Sequence, residues 1–237
     1  IDLLNSFFQI MLLFLLFSFL IPIFSQSDFT IACRKGYKIS AIKRQNSFYQ
    51  KSISGSLTVE CEKLLQPLQN TKCETSSTTP QCNGASEGCG GNQWLGGFHA
   101  FVIENSTNSI LLDPICCSSE TIKVDSLSCA SEKLNNPKEP FEHSIIADNL
   151  IYRGLQCWHQ YDSNNTLIDL IWKFEICQFN GDNQFPIKPF SVEHCPPCNC
   201  HCGIDLCAGG KEPIRIIHKS ISQKRCACDC HCHYECI

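Results

Sequence analysis

The last 43 residues of the chain, 195–237, hold ten of its twenty cysteines, set out as one short box written twice. The first copy reads Cys198-Asn-Cys200-His-Cys202 with Cys207 trailing, and the second reads Cys228-Asp-Cys230-His-Cys232 with Cys236 trailing. A duplicated C-x-C-H-C box puts its sulfurs there for bonding, either to one another or to a metal. The compartment decides between the two, because thiols that pass through an oxidising compartment become disulfides.

The opposite end of the chain bears on the compartment. Residues 7–24 are almost wholly apolar and run into Ser25-Gln26-Ser27. Read from the only methionine, Met11, the segment has the pattern of a secretory signal, an h-region broken by Pro22 before an S-x-S site. Residues 1–27 are therefore expected to be a signal peptide, with an uncleaved anchor as the alternative, since the n-region has no Lys or Arg and the stretch is long enough to span a bilayer. Both readings place the remainder outside the cytosol. An even cysteine count agrees with full pairing.

Formal net charge is −4, too small for strong steering, but it is unevenly spread. Residues 34–51 carry Arg34, Lys35, Lys38, Lys43, Arg44 and Lys51 with no acid among them. Residues 211–225 carry Lys211, Arg215, Lys219, Lys224 and Arg225 against Glu212 alone. Either cluster is a solvated basic face or a polyanion contact. The second, lying between the two boxes like a loop between staples, is the better candidate for sulfated glycans. Nothing in the chain suggests nucleic acid.

Between the two ends lie three related segments. Aligning Cys33 with Cys89 carries the first two without a gap to Cys61 and Cys117, with Ala41 and Gly97 matched and Val59 and Ile115 two places before the closing cysteine. The third starts near Leu150, pivots on Gly154 and closes at Cys177. There Ile168, Leu170, Trp172, Phe174 and Ile176 alternate with Asp169, Ile171, Lys173, Glu175 and Cys177, a period of two that predicts a strand with one buried face. Leu95, Phe98, Phe101 and Ile103 mark a shorter β-rich stretch, as do Tyr37, Ile39 and Ile42, and no long run has helical spacing. The expected fold is all-β: a three-repeat, approximately three-fold domain over 28–179, stapled by disulfides. A linker (180–194) and a small cysteine-rich tail (195–237) follow it. The sequons Asn105-Ser-Thr and Asn164-Asn-Thr fall at matching places in repeats two and three, which predicts glycans on exposed turns.

The third repeat carries a resemblance. Gly154-Leu-Gln-Cys-Trp-His159, then Asn165, then Asp169-Leu-Ile-Trp172-Lys-Phe174-Glu-Ile-Cys177, resembles the dermatopontin repeat. That repeat runs G-x-x-S-x-H, then N, then E-D-R-x-W-x-F, and closes with one or two cysteines. Cys116-Cys117 is similar to the paired cysteines that end those repeats, and Phe29-x-x-x-Cys33-x-x-Gly36 to their opening. The resemblance covers about 28–179 and implies a secreted, disulfide-bonded matrix or mucus protein that binds glycans or other matrix proteins. The E-D-R core is reduced here to Asp169, and the cysteine tail has no counterpart in the family pattern.

Cys33–Cys61 and Cys89–Cys117 (or Cys116) are the natural pairs within repeats, each closing a loop worth roughly 3–4 kcal/mol. Cys73, Cys82, Cys129, Cys157, Cys177 and the spare of the doublet make three further bonds that spacing does not assign. In the tail, disulfides are weighed against a metal reading. In that second reading Cys198, Cys200, Cys202, Cys207, Cys228, Cys230, Cys232 and Cys236, with His201, His231 and His233, hold Zn²⁺ or Cu(I). With disulfides there is no cofactor, and subunits can cross-link through the tail.

No catalytic signature is present: there is no G-x-S-x-G, H-E-x-x-H or phosphate-binding glycine loop. Cys195-Pro-Pro-Cys198 has redox spacing but no βαβ unit around it. Cys89, with His99 or His159 as base, aligns with a structural half-cystine. Trp158 and His159 are either core residues or the lining of a carbohydrate site. The chain therefore reads as a non-enzymatic secreted glycoprotein that, once its signal is cleaved, has no membrane segment.

Overall fold

The period-two segments become strands. The computed structural model describes residues 28–46, 56–64, 70–75, 79–103, 109–133, 135–181, 198–203, 207–210, 212–222 and 226–236. These form β1 (Asp28–Ala32), β2 (Tyr37–Gln45), β3 (Ser56–Lys63), β4 (Lys72–Thr75), β5 (Glu87–Gly88), β6 (Trp94–Ile103), β7 (Ser109–Ser118), β8 (Ile122–Lys133), β9 (Phe141–Ser144), β10 (Leu150–Tyr161), β11 (Leu167–Gly181), β12 (Pro213–Ser222) and β13 (Ala227–Cys236). Among the described residues there is no α-helix.

The strands form three sheets, ordered β1-β6-β7-β4, β5-β10-β11-β8 and β13-β12-β3-β2-β9. Each is built on an antiparallel hairpin from one of the three segments: β2–β3, β6–β7 and β10–β11. The edges are exchanged. The strand that leads into each hairpin pairs with a different hairpin: β1 with β6, β5 with β10, and β9 back with β2. The strand that follows each hairpin does the same on the other edge: β4 with β7, β8 with β11, and β12 with β3. The last pairing alone is parallel.

The first strand of each hairpin carries a bulge near its start, between Ile39 and Ala41, Leu95 and Gly97, and Tyr152 and Gly154. A bulge bends the strand and tightens its twist, which turns each hairpin around the shared core. At the second bulge glycine is required by space: a Cβ on Gly97 would lie 2.4 Å from the Ile31 carbonyl oxygen where β1 crosses.

The core between the sheets collects Ile31, Ile39, Ile42, Leu57, Val59, Leu95, Phe98, Tyr152, Leu155, Trp172 and Phe174. Phe98 and Tyr152 each meet the Phe174 ring edge-on at 5.8 Å, the geometry aromatic quadrupoles favour. A smaller cluster on another face joins Leu64, Trp94, Cys117, Ile122, Val124, Ile151 and Cys177.

Three expectations need correction, and one choice left open is decided. β11 does not keep one face wet: Asp169, Ile171 and Cys177 on its second face are buried too, Asp169 in an ion pair and Cys177 in the smaller cluster. Of the two partners left open for Cys89, the bond goes to Cys116, and Cys117 bonds to Cys73. Neighbours on a strand face opposite ways, and register places Cys116 opposite Leu95 as Cys61 lies opposite Ile39, so the ungapped alignment is one residue out at its end. Residues 195–237 are not simply an appendage: β12 joins the sheet of the first hairpin, and Ile214 and Ile216 enter the main core. The stretch expected as a basic loop between staples is, over 213–222, that same strand. Of the linker, Asn180 and Gly181 end β11, and the rest lies outside the described residues, as do 1–27.

Candidate functional site

Strand alternation sorts the tail's ligand candidates. On β13, Cys228, Cys230 and Cys232 share one face, and Asp229, His231 and His233 the other. The cysteine face is bonded to the first box in one direction and one register: Cys198–Cys228, Cys200–Cys230 and Cys202–Cys232, each separated by 30 residues. Cys207–Cys236 closes the series. The duplicated box is thus a parallel ladder, its two copies lying side by side. The sulfurs of Cys198, Cys200, Cys228 and Cys230 all lie within 4.8 Å of one another. The single Cys/His ligand set expected from sequence is divided: His231 and His233 point away from the sulfurs, with His233 3.4 Å from Glu235, and His201 is exposed. Among the described residues no cysteine is free.

His218, which the sequence reading passed over, locks β12 to the first hairpin. The pattern Ile214-x-Ile216-x-His218 sets its ring on the apolar face, which was the available signal. Its Nε2 accepts the Arg34 backbone N–H at 2.9 Å, and Tyr37 meets the ring edge-on at 5.3 Å. Because Nε2 accepts, the neutral ring carries its proton on Nδ1, which is buried without a partner. Burial, helped by the positive charge of Arg34 and by His231 and His233, pushes its pKa down to about 4.

Among the described residues of the basic clusters, Arg34 and Lys35 are exposed and the others are buried or half-buried. Lys43 pairs with Glu60 at 2.7 Å and Glu142 at 2.8 Å, and Lys219 pairs with the same Glu60 at 3.0 Å. Burial alone would raise the Glu60 carboxyl, and hydrogen bonds from Lys43 and Lys219 outweigh it, holding the group below its ordinary value. Lys38 is buried and donates to the carbonyls of Asp148 and Leu150 at 2.8 and 2.9 Å. Burial lowers its pKa against the opposing pull of Glu62 and Asp148. Arg215 is half-buried, its guanidinium 3.5 Å from the Gln45 amide oxygen. Of the polyanion candidates, Lys219 is thus already neutralised, and Lys211, Lys224 and Arg225 lie outside the described residues.

Asp169 is not open to a ligand. Arg44 grips both its oxygens at 3.0 and 2.9 Å, and both side chains are at most 4% exposed. The Lys138 and Leu170 backbone N–H groups complete the carboxylate at 2.8 Å each, while Arg44 also donates to the Glu139 carbonyl at 2.8 Å. The pair is a clasp between the first and third hairpins, with every strong donor and acceptor used.

The outer surface offers other groups. Asn164 sits exposed in the β10–β11 turn, where the Asp162 carboxylate accepts its backbone N–H at 2.8 Å. Asn105 falls between β6 and β7, outside the described residues. Near that turn Trp158 is 36% and Tyr161 46% exposed, and His159 stacks on Tyr161 with ring centres 6.1 Å apart. The Trp158 indole rests on Gly84, where a Cβ would come within 2.2 Å of Nε1. The Cys82–Cys157 bond fixes this corner, and His159 meets the Cys82 carbonyl oxygen at 3.1 Å. Leu127 and Ile146 are almost fully exposed. Leu127 tops a bulge of β8 braced by Ser128, whose hydroxyl donates to the Asp125 carbonyl and accepts the Gln178 N–H, and by Cys129–Cys177. As for the cysteine-nucleophile reading, Cys89 is consumed in its bond to Cys116, and Cys198 of the C-x-x-C pair is bonded to Cys228. No family model, curated protein or solved structure matches this chain.

Proposed function

We propose that this is a secreted, disulfide-rich glycoprotein of the dermatopontin-like kind, with a structural or adhesive role in extracellular matrix, coat or mucus and with glycans or matrix proteins as partners. The observation that carries the reading is the all-β body in which every described cysteine is paired, the condition of a protein that matures and works in an oxidising compartment. Support for an approximate three-fold repeat comes from the matched bulges and from the edges exchanged around all three hairpins. Partner contact falls on the outer surface, where Trp158, His159 and Tyr161 offer flat faces to sugar rings and Leu127 and Ile146 offer apolar points to a protein. Asn164, on its exposed turn, is the described glycan acceptor.

The test is expression of the full chain in a secretory host, followed by intact mass after alkylation without reductant and by binding to immobilised matrix glycans. The expected result is protein in the medium, no alkyl adducts, a glycan removable from Asn164, and glycan binding weakened at least tenfold by Trp158→Ala. Retention in the cell with several alkylatable thiols would sink the assignment.

A further inference from the structure

The ladder in the tail has a feature that cross-linking does not require. On an extended strand two residues spaced i and i+2 stand roughly 6.5–7 Å apart. Yet the sulfurs of Cys228 and Cys230, which belong to different rungs, approach to 3.5 Å. Their partners Cys198 and Cys200 complete a set of four whose sulfurs all lie within 4.8 Å of one another. Four sulfurs at the corners of a tetrahedron around Zn²⁺, with Zn–S of about 2.3 Å, are separated by about 3.8 Å. Two stacked rungs need no such convergence. The set is also accessible, since Cys228 and Cys230 are exposed on the edge strand β13 and Cys198 and Cys200, outside any strand, are half-buried. By contrast the other sulfur pair with a nearby carboxylate, Cys129 and Cys177 beside Glu175, has Cys177 fully buried in the smaller cluster.

We propose that Cys198, Cys200, Cys228 and Cys230 form a tetrathiolate site for a soft d¹⁰ divalent ion, Zn²⁺ being the natural occupant, whenever their two rungs are in the dithiol state. The two states are alternatives of the same four atoms. A phosphine reductant cleaves each S–S bond with one water, leaving two thiols and one phosphine oxide. Zn²⁺ then takes four thiolates and releases four protons. Oxidation by a disulfide-forming oxidant removes two electrons per rung and expels the ion. When the two rungs open, β13 is still paired along its length with β12, and the first box is still tied to it by Cys202–Cys232, by Cys207–Cys236 and by the Tyr234 hydroxyl, which donates to the Gly203 carbonyl. These ties keep the two boxes side by side when the two rungs open. His201, His231 and His233 have no part in it.

The experiment uses the full secreted chain, partially reduced with limiting phosphine and titrated with Co²⁺ as the spectroscopic probe and then Zn²⁺. The expected result is one Co²⁺ per chain with the intense thiolate charge-transfer and ligand-field bands of a tetrathiolate, displaced by Zn²⁺, and none in the oxidised chain. Cys228→Ser with Cys230→Ser should abolish those bands. The neighbouring pair Cys202→Ser with Cys232→Ser, which leaves the four sulfurs in place, should retain them. Absence of tetrathiolate bands in the reduced wild-type chain overturns the proposal. So do bands that survive the Cys228/Cys230 change or vanish with the Cys202/Cys232 change. Native mass spectra of each form report folding alongside metal content, so a collapsed variant is recognised as such and the wild-type result then decides.

Discussion

Two hairpins of this protein achieve order by opposite means. In β10–β11, Tyr152, Leu155, Trp172 and Phe174 drive into the main core, and both faces of the hairpin contribute buried residues. In β12–β13, one strand supplies Ile214 and Ile216 to that core while the other leaves nearly every residue at the surface. β13 lies beyond the reach of the core, and four disulfides hold it where apolar side chains do not. Where a segment cannot exclude water, covalent closure takes over the task that burial performs elsewhere.

The contrast can be broken at three points. The largest effect is expected where burial rules. Arg44→Ala leaves Asp169 charged and unpaired on β11 and should lower stability by about 3–5 kcal/mol in urea unfolding. A loss below about 1 kcal/mol would mean that the hairpin does not depend on its clasp.

The next test sets a lone disulfide against a rung. Replacing Cys33 and Cys61 by alanine removes the closure of a 28-residue segment and should cost roughly 3–4 kcal/mol. Replacing Cys200 and Cys230 by serine should cost less than about 1 kcal/mol, because the flanking rungs already close almost the same loop. Equal losses would show that the rungs act independently.

An effect smaller than the loss of the clasp or of the lone disulfide is a pH response at the seam between the two regions. The folded pKa of His218, about 4, lies below its ordinary unfolded value, so between the two the unfolded chain binds more protons. Stability from this group is complete above about pH 6.5 and is lost as pH falls through about 4, by on the order of 2 kcal/mol. His218→Gln, whose amide oxygen can accept the Arg34 N–H, should flatten that part of a stability–pH profile. An unchanged slope would place the response in other groups.

What was legible in the sequence follows the same division. The β11 strand announced itself through its period of two, because its pattern is local. Cys33 and Cys61 could be paired from spacing for the same reason. The choice between Cys116 and Cys117 could not, since a bulge near Leu95 shifts register by one place without leaving a mark in composition. Lys43 and Arg44 looked like a basic face because their partners Glu142 and Asp169 lie about a hundred residues away, and only the fold brings them together. The tail looked separate because a parallel pairing of β12 with β3 joins residues over 150 positions apart. The convergence of Cys228 and Cys230 is a matter of side-chain direction, which spacing alone does not carry.

The exchange of edges also sets an order of assembly. A chain emerging from its N-terminus makes the β2–β3 hairpin before the other two, yet the outer neighbours β9 and β12 of that hairpin are made only after β8 and β11 respectively. Until then both flanks of the earliest hairpin present bare backbone donors and acceptors, the feature that invites pairing with another chain. The hairpin made first is therefore finished last, its two edges bare until β9 and β12 have been made.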